Sequence, residues 1–164
     1  MAARRRKKPQ TTKIQPKRAK NLSPGTVAYT GKKTTTVTKL DIIDYSKEHF
    51  HRFETNNIQE AFNYEDSTNI TWINVNGLSN TDDIVTLGNH FELHPLIQED
   101  IVTTNQRPKI DEYEEYLFIV FKMLHYDDSE QLTSEHLSMV VGKDYVITFQ
   151  EAEGDIFGDL RERL

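Results

Sequence analysis

Apolar residues recur along this chain in two rhythms, and each predicts an element. From Ile70 to Val75 the run is rich in β-branched and aromatic residues and stops at Asn76-Gly77, which reads as a strand and a turn. Ile84, Leu87 and Phe91 are three and four apart, the stripe of a helix. Asn80 or Thr81 is its expected cap, with Asp82 and Asp83 in the first turn, where the helix dipole favours acids. His94-Pro95 opens a second, short helix, with proline at the position where a missing N–H costs nothing. Tyr116 to Leu124 is almost wholly apolar or aromatic, which suits a strand covered on both faces. Leu137, Met139 and Val141 alternate, Gly142-Lys143-Asp144 turns, and Tyr145, Ile147 and Phe149 alternate again, a hairpin.

Weaker patterns surround these. Ser23-Pro24-Gly25 punctuates the start of an extended region, with a short strand expected over Thr26–Tyr29 and a longer one over Thr34–Ile43 after a turn at Gly31-Lys32-Lys33. Ser46 begins an expected helical stretch with Phe50 and Phe53 three apart, and Ile58–Phe62 reads as a further helical turn. A last helix is expected from Gly154 to Leu164. Ile156, Leu160 and Leu164 keep its period and no Gly, Asn or Pro ends it, so the expectation is a chain that continues. Strands and helices thus mix in the manner of an α/β protein, and no repeat interrupts them.

Charge divides the chain more sharply than hydropathy does. The formal net charge of −6 is the remainder of +12 over residues 1–40, which hold no acid, and −18 over residues 41–164. Residues 1–21 carry Arg4-Arg5-Arg6-Lys7-Lys8 and almost no bulky aliphatic side chain, so they are expected to be a disordered basic tail. Such a tail is either a solvated arm that can fold back on the acidic body or a contact for anionic lipid. Nucleic acid is the third partner a basic arm suits, but the acidity of the body argues against it. The apolar core of a secretory signal is missing, and a transit peptide would need an amphipathicity not seen here. The remaining residues, 22–164, are enough for one domain. With no cysteine, disulfides, thiolate nucleophiles and thiolate metal sites are excluded, and an intracellular address is expected. No apolar run approaches the ~20 residues that span a bilayer.

Catalytic signatures are absent: there is no phosphate-binding Gly loop, no His-Glu-x-x-His and no Gly-x-Ser-x-Gly, so an enzyme is not expected. His49 and His51 are two apart in what reads as a helix, where they would not share a face, and His90, His94, His125 and His136 are scattered. One carboxylate stands out. On a helical wheel of ~100° per residue, Asp100 falls inside the apolar sector of Leu96, Ile97 and Ile101, with Glu99 on the opposite side. A carboxylate on an apolar face is costly unless paired. Its partner is either a basic side chain, with Arg107 and Lys109 nearest, or a bound cation at a subunit boundary.

The densest cluster of motifs is His94-Pro95-Leu96-Ile97-Gln98-Glu99-Asp100-Ile101, then Gln106-Arg107-Pro108-Lys109 and Tyr116 to Met123. With Ser23-Pro24-Gly25-Thr26, Tyr29-Thr30-Gly31, Trp72 to Leu78, Phe149-Gln150-Glu151 and Arg161-Glu162-Arg163, it resembles the CorA family of magnesium transport proteins over residues 23–164. The resemblance implies a three-layer α/β/α sandwich around a mixed parallel and antiparallel sheet. It implies the cytoplasmic N-terminal domain of a homopentameric channel, cut before the stalk helix and the membrane helices with their Gly-Met-Asn loop. The fragment itself would then be soluble and the whole protein would sit in the cell membrane, where the tail could meet the inner leaflet. The family also implies metal ligands: Asp100, with Glu99 beside it, would bind a weakly held regulatory magnesium ion between subunits and so close the pore. A histidine of the family pattern is Asn105 here. A hydrated magnesium ion needs only one or two carboxylates. Ion choice (magnesium, cobalt, or zinc in an efflux relative) lies mainly in the pore and stays open.

Overall fold

A computed structural model describes residues 22–31, 37–64, 69–126, 130–151 and 157–164. The basic tail, the first part of the strand expected from Thr34 and the start of the expected last helix, residues 154–156, lie outside these.

Among the described residues seven strands form one sheet. They are β1 (Lys39–Tyr45), β2 (Phe50–Thr55), β3 (Ile70–Asn76), β4 (Lys109–Glu112), β5 (Leu117–Tyr126), β6 (Leu132–Val141) and β7 (Tyr145–Gln150). Their order is β2-β1-β3-β7-β6-β5-β4. All neighbours are antiparallel except β3 and β7, which run parallel with Ile73 opposite Ile147. The parallel pair follows from the connection: after β3 the chain passes through α1 (Thr81–His90) and α2 (Pro95–Val102), adds the β4–β6 edge, and returns to the middle.

The register sends Leu40, Ile42, Ile73, Val75, Ile147, Phe149, Val140 and Phe118 to one face. There they form a buried core with Ile84, Leu87 and Phe91 of α1, Ile97 and Ile101 of α2, and Ile58 and Ala61 of a 3-10 helix (Ile58–Tyr64). The helices α1 and α2 meet at Gly88, where an added Cβ would lie 2.7 Å from the Gln98 side chain. Gln98 uses that closeness to donate to the Leu93 carbonyl at 2.9 Å and to the Asn89 side chain at 3.1 Å, which ties α2 to the end of α1 and the loop that follows it.

The second face carries α3 (Gly158–Arg161). Phe157 meets the Trp72 ring edge-on at 5.1 Å, and Arg161 lies 3.3 Å from Asp41, a carboxylate that Arg52 also grips at 2.8 and 3.0 Å. The buried row here is polar. Trp72 Nε1 donates to Thr148 Oγ1 at 3.0 Å, and that hydroxyl donates to Asn74 Oδ1 at 2.7 Å. The architecture is thus α/β, a mixed sheet with helices on both faces.

Four local expectations are corrected. The stretch after Ser46 is strand β2, not helix: Phe50 and Phe53 fall on opposite faces, with Phe53 packed on the core beside Ile42 and Phe50 exposed. Its polar alternation suits an edge strand. Residues 26–29 are not in the sheet; Val27 and Tyr29 pack on the core, and the Thr30 N–H donates to the Val102 carbonyl at 3.1 Å. The strand β5 is not covered equally on its two faces: Phe118 and Val120 are buried on the core face, Ile119, Phe121 and Met123 on the other are only half-buried, and Leu117 and Leu124 near the ends are exposed. The helix α1 starts after Asn80, but the Asn80 amide donates to the Asp83 side chain at 2.7 Å rather than capping backbone.

Candidate functional site

The site expected from the sequence is a short helix facing a short strand. His94 caps α2 through Nδ1, which accepts from the Leu96 N–H at 3.2 Å, and Pro95 follows at the first position. Ile97, Gln98, Ile101 and Val102 are buried, which leaves Asp100 at the edge of the buried face, its side chain 17% exposed. Leu96, placed in the apolar sector by the wheel, is exposed.

Asp100 is paired. Lys109, the first residue of β4, brings its ammonium 2.6 Å from Asp100 Oδ2, and the Gln106 amide donates to Asp100 Oδ1. Of the two cations the sequence offered, Lys109 is the partner and Arg107 is exposed. The same ammonium lies 2.5 Å from Asp111 Oδ2 and 5.5 Å from the Phe118 ring centre. Burial works against its charge, but hydrogen bonds to Asp100 and Asp111, and their charges, outweigh it and raise the Lys109 pKa. A depression of ≈520 Å³ opens here between α2 and β4. Sequence reasoning missed Asp111. Its signal was the alternation Lys109-Ile110-Asp111, which on a strand puts both charges on one face and leaves Ile110 exposed.

Glu99 points elsewhere. Its Oε2 accepts from the Gly25 N–H at 2.7 Å, so it ties the N-terminal segment to α2 and is not brought together with Asp100. Gly25 can do this because its φ of +83° suits glycine. Asn105 is exposed in the turn after α2.

Asp100 and Asp111 fit a hydrated divalent ion on donor chemistry. They are hard oxygen donors, but here both are held by the Lys109 ammonium, so of the two partners the sequence left open for Asp100 the structure shows the basic side chain. Among the described residues no group of three or more His, Asp or Glu side chains gathers to hold a metal, so water or another chain would have to complete the shell.

A second polar cluster lies deeper on the same sheet face. Lys122 donates to the Thr104 carbonyl and sits 3.4 Å from His136 Nδ1 across the β5–β6 pair. Burial lowers the Lys122 pKa against the pull of Glu151. Burial first, then the Lys122 charge, lowers His136 to about 4. A further cleft of ≈770 Å³, beside Phe91, Tyr113 and Tyr116, lies outside the expected site.

The fold and site define a class: a mixed α/β domain with a carboxylate–lysine seam between helix and edge strand. Among its described residues no helix is long and apolar enough to cross a membrane. Residues 67–164 match the family described as CorA-like Mg2+ transporter protein, and the chain belongs to the CorA family. It is 41% identical over 146 residues to the "Cobalt/magnesium transport protein CorA" of Thermotoga maritima, which covers 88% of this chain and 41% of that relative. It is 34% identical over 93 residues to the "Putative metal ion transporter YfjQ" of Bacillus subtilis, covering 57% of this chain and 28% of that one. The chain therefore spans about two fifths or less of the curated relatives it matches. In fold it resembles the complete CorA magnesium transporter of Methanocaldococcus jannaschii, with a TM-score of 0.52 at 14% identity over 80% of this chain and 37% of that one. It also resembles the full-length CmaX protein, with a TM-score of 0.59 at 12% identity over 82% of this chain and 41% of the other.

Proposed function

We propose that this chain is the cytoplasmic regulatory domain of a CorA-type transporter of magnesium, with cobalt as a second ion. In this reading Asp100 senses magnesium at a seam between subunits of a homopentamer, and the ion gates a pore carried by the membrane part. Glu99 is the second carboxylate of this reading, in this chain held by the Gly25 N–H at 2.7 Å. The observation that carries the reading is the place of Asp100: a family-motif carboxylate at the rim of a buried helix face, its side chain still 17% exposed. The 41% identity to a cobalt/magnesium transport protein supports the ion class.

The physics of such a sensor is differential binding. An ion shifts the closed–open balance only by preferring one state. Moving a two-state balance from 1:99 to 99:1 takes ~10⁴ in preference, which five equal seams would share at about sixfold each. A weak, water-rich carboxylate site supplies that. The acidic body helps, because copies of like charge repel and a dication between them relieves the repulsion.

The test is Asp100→Ala in the whole transporter, with flux measured at rising internal magnesium. Closure by magnesium should weaken. Unchanged inhibition would exclude Asp100 as the sensor.

A further inference from the structure

We infer that Lys109 is a tethered competitor for the ion at Asp100: a divalent cation enters only by displacing this ammonium from between Asp100 and Asp111. The inference rests on the metal reading above and adds what sets the affinity and charge selectivity of that site.

The geometry is specific. One nitrogen contacts a carboxylate of α2 at 2.6 Å and a carboxylate of β4 at 2.5 Å. The backbone beneath it is fixed, since Lys109 pairs with Val120 of β5, and the Phe118 ring lies 5.5 Å from the nitrogen. With the Gln106 amide on Asp100 Oδ1, both Asp100 oxygens are engaged. An incoming ion therefore meets two carboxylates whose charge is half neutralised.

Two consequences follow from tethering. A free monovalent ion carries the same charge as the ammonium but lacks its high local concentration, so sodium and potassium do not displace it. A dication carries twice the charge and does. The site thus reads divalent ions against a background of monovalent salt, and Lys109 keeps it weak. Displacing Lys109 also releases the ion pair that joins α2 to β4, so occupancy changes how the helix is held to the sheet edge.

The experiment is calorimetric titration of the whole transporter, which supplies the seam between subunits, with MgCl2 in KCl, comparing the wild type with Lys109→Met and Lys109→Arg. Lys109→Met should bind magnesium at least about tenfold tighter, ~1.4 kcal/mol. Lys109→Arg, which keeps the charge, should stay near the wild type. Thermal unfolding supplies a second readout: without metal Lys109→Met should melt below the wild type, and magnesium should raise its melting temperature more. If Met at this position prevents folding, Lys109→Gln takes its place in both measurements. Equal or weaker binding by the charge-free variant, with the wild type binding normally, overturns the competition. Absence of binding by both overturns the metal reading itself, and with it this inference.

Discussion

His136 makes stability depend on pH in a window where few other side chains titrate. Its ring is 1% exposed and stands across the β5–β6 pair from Lys122, with Nδ1 3.4 Å from that ammonium. Burial and the Lys122 charge lower its pKa from 6.5 to about 4, against smaller opposing pulls from Glu151 and the Ile101 backbone. Between those values the unfolded chain holds a proton that the folded chain lacks. Stability therefore falls as pH falls, by ~1.4 kcal/mol per pH unit and ~3 kcal/mol across the window. In His136→Asn the amide oxygen can replace Nδ1 as acceptor and no ring is left to titrate. Urea unfolding of both proteins from about pH 7 down to about pH 4.5 isolates the term, because shared carboxylate effects cancel in the difference. The wild type should lose ~3 kcal/mol more than the variant over that range. Parallel stability curves for the two proteins would show that the buried ring does not resist its proton.

Two further substitutions probe the frame around the site. Gly88→Ala should destabilise by ~1–3 kcal/mol, since the new methyl must displace Gln98 from its bonds to Leu93 and Asn89; guanidinium unfolding reads this, and an unchanged midpoint would mean that α1 and α2 yield freely. Thr148→Val should cost ~2–3 kcal/mol by leaving the buried Trp72 N–H and Asn74 carbonyl without their shared hydroxyl, and should shift the Trp72 fluorescence; a neutral substitution would mean that neither group needs it.

Strong local signals in the sequence translated directly. Three- and four-residue spacing placed α1, proline at its first turn placed α2, and alternation about Gly142-Lys143-Asp144 placed the β6–β7 hairpin, where the Gly142 N–H donates to the Tyr145 carbonyl at 2.9 Å. The region after Ser46 was misleading for a physical reason. A three-residue phenylalanine spacing fits a helix face, but pairing with β1 was worth more than local period, and the two rings parted to opposite faces. The β4 strand is four residues long and has one apolar residue, Ile110, so its only signal was the short alternation of charge about that residue.

The chain alone determined the class of fold, the acidic body and the carboxylate Asp100, because composition and short-range periodicity are properties of neighbours in sequence. Which cation answers that carboxylate, and that Asp111 shares it while Glu99 turns to Gly25, was decided only when β4 came to lie beside α2. A charge pair is set by distance in space, and a separation of nine positions between Asp100 and Lys109 permits many distances until the sheet selects one.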